Sequence, residues 1–343
     1  MIALFTFPGG ILKQYAAWVS MALLSTSAWA QEGPPSDDIA VQNILVVGQR
    51  PGPALWKVSK GDHVLWVFAT YSPLPKNMTW RSQQVENALA QSQELLSAPG
   101  TAFSVGWANS FNLLTAAPFL IGIKKNADGA RLQDVVPADV YTRWAALKAR
   151  YIGNDQGIEE ERPMFAADTL FDKALGASGM DKGYAIQGRI EELAKNWKIK
   201  RTSTTLQLPM ENPRQAVRDF KKAQLEDVEC FTKTVDRLET DLEAMKVRAN
   251  AWSSGNIDAI RKLRFPDQKQ SCNAAVLNSK WIGNLKDGSN LEQRVKASWL
   301  AAAETALGTN KSTFAMLSMS ELLNPDGLVA SLRAKGYQVD EPD

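Results

Sequence analysis

Histidine is almost missing from this chain: His63 is the single one among 343 residues. A catalytic transition-metal site draws about three protein ligands from imidazole, thiolate and carboxylate and leaves one position open. One histidine excludes a two-histidine centre within one molecule. It also leaves Ser72 without a nearby histidine as base, and no spacing supports a Ser–Lys arrangement. If residues 64–69 are extended at about 3.3 Å per residue, His63 and Ser72 stand on the order of 25–30 Å apart. Beside Gly61-Asp62, His63 reads as an exposed turn residue, and Ser72 as a loop residue held extended by Pro73.

Cysteine is scarce too. Cys230 and Cys272 cannot form a structural zinc site by themselves. In an exported chain the pair predicts a disulfide, and closing a loop of about 40 residues adds about 3–4 kcal/mol in the chain-entropy view. Charge of one sign is lacking as well. The 39 basic and 37 acidic side chains give +2, with no electrostatic footprint for nucleic acid or an anionic membrane. Long apolar runs occur only at the start. Lys13 is the one charge before a second apolar stretch at 15–29, Pro8-Gly9-Gly10 interrupts the region, and Ala28-Trp29-Ala30 precedes Gln31. That small-x-small ending is what a signal peptidase reads. The expectation is a signal peptide over 1–30, a flexible mature terminus over 31–52 and a domain over 53–343, with no membrane span after cleavage and a periplasmic or secreted location. The apolar stretch 109–123 is interrupted by Pro118 and too short to span, so it reads as a core helix.

What is present is ordinary globular composition, 45% apolar and 22% charged. Residues 55–58 and 64–69, with the turn signal Ser59-Lys60-Gly61-Asp62 between them, predict a hairpin whose second strand is buried on both faces. Val85, Ala88, Leu89 and Ser92 share one helical face. Helical patterns dominate about 104–307, including a long pair over 212–252 in which Arg237, Glu239, Asp241 and Glu243 read as a solvated face. Residues 313–317 predict a buried strand, Asp326 a cap for a helix over 327–335, Gly336 its left-handed stop, and 337–339 a last strand. The fold class is α/β or α+β: a central sheet built from N- and C-terminal strands, with a large helical middle layer. Nine tryptophans follow residue 30, mostly within amphipathic patterns, which favours core packing over an exposed sugar-binding platform.

Ala54-Leu55-Trp56-Lys57-Val58, then Phe68-Ala69-Thr70-Tyr71-Ser72-Pro73-Leu74-Pro75, then Trp80-Arg81-Ser82 resemble the opening of the TraB/GumN family, which includes the Tiki-type membrane metalloproteases. Leu322-Leu323-Asn324-Pro325-Asp326-Gly327-Leu328 with Gly336-Tyr337-Gln338-Val339 is similar to its ending, so the resemblance spans roughly residues 53–340. The family's usual opening motif is Gly-Thr-Ile-His followed by an apolar residue, Leu and Pro. Here both Gly-x-x-His motifs are gone: Ala69-Thr70-Tyr71-Ser72 stands for the first and Ser318-Met319-Ser320-Glu321 for the second. The family carboxylate falls at Ala98, and the Arg-Asn-x-x-Trp element keeps only Trp299, with Arg294 adjacent to the element. The resemblance therefore implies a remnant site at Ser72, Ala98 and Glu321. It implies a cleft lined by Thr70, Tyr71, Ser72, Ser318, Ser320, Glu321 and Arg294, no metal or other cofactor, and a non-catalytic role toward a protein, peptide or envelope ligand. The alternative is an active metal-dependent hydrolase or peptidase using Glu321 and carboxylates of the helical middle.

Overall fold

A computed structural model describes residues 52–104, 117–263, 268–285 and 287–342. The signal segment, the strand suggested at 44–47, Trp107 and most of 109–123 lie outside the described residues. Among the described residues no helix is long and apolar enough to cross a membrane.

The strands are β1 (Leu55–Lys60), β2 (His63–Thr70), β3 (Leu74–Pro75), β4 (Glu94–Leu96), β5 (Gly100–Ser104), β6 (Met180–Asp181), β7 (Lys200–Thr202), β8 (Thr205–Pro209), β9 (Ser312–Ser318) and β10 (Gln338–Asp340). The six-stranded sheet runs β10-β1-β2-β9-β4-β7. β1 is antiparallel to both β2 and β10, whereas β2, β9, β4 and β7 form a parallel block. The mixed α/β architecture agrees with the sequence, and its central strands show why. Leu65, Val67, Phe68 and Ala69 of β2, and Thr313 to Leu317 of β9, are all buried, which a parallel strand covered on both faces requires. Gly61, at φ +61°, makes the tight turn of the β1–β2 hairpin. His63 is the first residue of β2 with a side chain 24% exposed, so it belongs to the strand rather than the turn.

The middle is not purely helical. β7 joins the sheet as its edge, and β8 pairs with β5 in a separate parallel ribbon. The stretch 212–252 is three helices rather than a long pair: Pro213–Lys222, Val228–Thr240 and Leu242–Ser253. The extended backbone of Ala223 (ψ 137°) ends the first, and Asp241 separates the other two. At 117–120 the chain makes a single 3₁₀ turn and Ile121 is 78% exposed, so the described end of the apolar stretch is not core helix.

Among the described residues two apolar cores result. One lies on the sheet and includes Val85, Leu89, Ile190, Trp252, Trp299 and Leu332. The other lies among the middle helices around Trp144, Leu170 and Phe231, with the Trp144 and Phe231 rings 5.0 Å apart. Helix Leu242–Ser253 serves both, giving Met245 to the second and Ala249 and Trp252 to the first. Trp56, Trp144, Trp252 and Trp299 are fully buried; among the described tryptophans Trp197, at 42%, is the exposed one. The Trp side chains thus pack the cores and form no exposed platform among the described residues.

Cys230 and Cys272 are bonded, with their Cα atoms 4.5 Å apart. They join helix Val228–Thr240 to helix Gln268–Leu277.

Candidate functional site

The parallel strands deliver three loops to one edge of the sheet. In the β2–β9 register Thr70 stands opposite Ser318, and in the β4–β9 register Leu96 stands opposite Ala315. Ser72, Ala98 and Glu321 therefore follow the carboxyl ends of three adjacent strands, where clefts of α/β sheets form. Thr70 Oγ1 donates to Leu317 O at 3.1 Å and ties the first and third ends together.

The loop after β2 is held by elements distant in sequence. Trp252 Nε1 donates to Ala69 O at 2.7 Å. Arg248 Nε donates to the Tyr71 hydroxyl at 3.0 Å, and the same guanidinium bonds Asp241. Tyr71, Asp241 and Arg248 are all buried. Burial raises the Tyr71 hydroxyl pKa above the tyrosine range, against the lowering effect of the Arg248 charge. Burial alone would lower the Arg248 guanidinium, but its bonds to Asp241 and Tyr71 leave it raised. β6 pairs with β3 from the other side, Leu74 opposite Asp181, and Lys76 N–H donates to Gly179 O at 3.0 Å. Gly183, at φ +68°, fits against this loop because a Cβ there would meet both Leu74 Cδ1 and Tyr71 O at 3.1 Å. Ser72 itself is exposed.

The loop after β9 is held by its own neighbours. Ser318 caps the short helix Met319–Leu322, accepting from Glu321 N–H at 3.2 Å, and its hydroxyl is 3.0 Å from that of Ser320. Glu321 Oε1 accepts from Leu328 N–H at 2.8 Å. The carboxylate that caps helix Leu328–Ala334 is thus Glu321, not Asp326, because Gly327 occupies the cap position and lacks a side chain to do so. A Cβ on Gly327 would meet Glu321 O at 2.3 Å, so the loop closes only with glycine there.

At Ala98 the carbonyl accepts from Thr204 Oγ1 at 3.2 Å, and the side chain offers no donor atom. Arg294 directs its guanidinium to the Asp287 carbonyl and carboxylate. Of the cleft candidates, Thr70 and Tyr71 are buried with their hydroxyls engaged, Ser318 and Glu321 are half-buried, and Ser72 and Ser320 are exposed. His63 begins β2, at the opposite end of the strand from Ser72, and its Nε2 faces Asp62 at 3.5 Å.

This donor set does not suit a transition metal. It comprises a neutral hydroxyl, an alanine and one carboxylate with an oxygen already bonded to a backbone N–H. Among the described residues no three His, Cys, Asp or Glu side chains converge as a metal site would need.

The sequence reading missed Arg248, Asp241, Arg237 and Trp252 as the residues that fix the first loop. Arg237 and Asp241, which read from the sequence as part of a solvated face, have side chains each 11% exposed, while Glu239 and Glu243 point outward. The spacing of four between Arg237 and Asp241 puts both on one side of the helix, a usable signal.

The model of the TraB/PrgY/gumN family matches residues 54–341. The chain belongs to this family. Neither the curated proteins nor the solved structures yield a match. In this family member, then, the six-stranded sheet, the two loops and the helices that hold them all fall within the matched segment.

Proposed function

We propose that this chain is an exported, non-catalytic member of the TraB/PrgY/gumN family that acts by binding a protein, peptide or envelope ligand at the strand-end loops. One observation carries the loss of catalysis. The three positions that would supply metal ligands are Ser72, Ala98 and Glu321, and Glu321 caps a helix instead. Two features support export: Ala28-Trp29-Ala30 before Gln31, and a Cys230–Cys272 bond of the kind oxidising compartments sustain. Ser72 and Ser320 give the loops an exposed polar rim.

The test is a hydrolysis assay on the purified mature protein, with protein and peptide substrates, with zinc or manganese supplied and with chelator added. No chelator-sensitive turnover is expected. Turnover that chelator abolishes, and that Glu321→Ala also removes, would overturn the reading in favour of an active metallohydrolase.

A further inference from the structure

The network that holds Tyr71 continues past Arg248. The Asp241 carboxylate serves two guanidiniums: Arg248 Nη2 donates to Oδ2, and Arg237 Nε is 3.5 Å from the same atom. Arg237 Nη1 donates to Gln268 Oε1 at 2.7 Å. Gln268 Nε2 donates to Thr234 Oγ1 at 2.8 Å, and the Thr234 hydroxyl donates to Cys230 O at 2.8 Å. Burial lowers the Arg237 guanidinium pKa, opposed by Asp241. Two buried cations thus share one carboxylate. The Gln268 amide oxygen gives Arg237 a second acceptor and lessens its claim on Asp241. Gln268 is the first residue of helix Gln268–Leu277. The Cys230–Cys272 bond fastens that helix covalently to the helix carrying Thr234 and Arg237. Cys230 is buried, whereas Cys272 is half-buried.

We infer that the Cys230–Cys272 bond sets the order of the Tyr71–Leu74 loop, through Gln268, Arg237, Asp241 and Arg248, and that a dithiol reductant loosens this loop. One thiolate of the dithiol attacks Cys272 Sγ, breaking the S–S bond and forming a mixed disulfide. Cys230 leaves as a thiolate and takes up a proton. The second thiol of the reductant then displaces Cys272, so two electrons pass to the protein and the reductant ends as its own disulfide. Without the tie, side-chain bonds alone join helix Gln268–Leu277 to its partner, Lys233 and Glu229 at Ser271 and Thr234 and Arg237 at Gln268, and Gln268 leaves Arg237 more often. A buried cation short of an acceptor then competes for Asp241 and weakens the hold on Tyr71. The Glu321 loop keeps its order, because its capping bonds run within residues 318–328.

Hydrogen exchange read by mass spectrometry on the mature protein tests this. The forms compared are native, dithiothreitol-reduced, Cys230→Ser/Cys272→Ser, and Gln268→Ala with the disulfide intact. Amides of residues 69–76 are expected to exchange about tenfold faster in all three altered forms, while residues 313–317 keep their native rate. Three results would each overturn the inference: unchanged protection at 69–76 while the two cysteine helices open, no effect of Gln268→Ala, or an equal rise at 313–317 that marks global loosening.

Discussion

The two loops that meet at the sheet edge are built on opposite plans. The Ser72 loop is held by partners 177 and 183 positions away, Arg248 on Tyr71 and Trp252 on Ala69. The Glu321 loop is held by partners three and seven positions away, Ser318 and Leu328. A metal bound by both loops would fix each of them from outside. Here the first takes its constraint from the helical middle and the second from its own capping bonds. The difference also locates cooperativity. Damage to the middle helices should reach the first loop and spare the second.

The largest effect expected from breaking this contrast is at Arg248. Arg248→Ala leaves Asp241 buried beside Arg237 and removes one partner of Tyr71, at a cost of about 3–5 kcal/mol. Urea unfolding checks the loss, and hydrogen exchange should show faster opening at 69–76 than at 313–317.

A smaller effect comes from the opposite edge of the sheet, and it provides a control far from both loops. Glu94, buried at the start of β4, is bonded by Thr202, Lys200 and Asn310. Burial alone would raise its pKa, but these three bonds outweigh it and hold the carboxyl below its ordinary value. Because the folded value is depressed, the stabilisation is present above the unfolded glutamate pKa of about 4.3 and is lost as pH falls through the folded value. Glu94→Gln should destabilise at neutral pH by roughly 1.5–3 kcal/mol and flatten the acid limb of stability against pH. Thermal unfolding from pH 7 to pH 3 measures both, and neither loop's exchange should change selectively.

The smallest effect belongs to the second loop. Glu321→Ala removes the acceptor for Leu328 N–H and should cost about 1 kcal/mol, whereas Glu321→Gln keeps an acceptor and should cost less. Thermal unfolding ranks the two. A loss as large as that of Arg248→Ala would erase the distinction between the loops.

The same contrast explains what could be read before the fold was known. Residues 64–69 and 314–317 are continuously apolar, so two central strands are visible without partners. Gly336, at φ +90°, ends its helix as its position suggested. The family resemblance put Ser72, Ala98 and Glu321 together, and the strand register places all three at one edge. The contacts that hold the Ser72 loop were not visible. Arg248 meets Tyr71 across 177 positions, and no local period encodes such a meeting. Arg237 and Asp241 were hidden because Glu239 and Glu243, interleaved with them, do face outward. β7 went unrecognised because Lys200-Arg201-Thr202 is a charged edge strand, the composition that deters further pairing.

We propose that the strand-end loops owe their order to protein contacts and not to a transition metal. Calorimetric titration of the purified protein with zinc and with manganese tests this most directly. The triple variant Ser72→His/Ala98→Glu/Glu321→His, shown to be folded, is titrated alongside. No stoichiometric binding by the native protein and a gain of metal affinity in the variant are expected. Tight one-to-one binding by the native protein would contradict it.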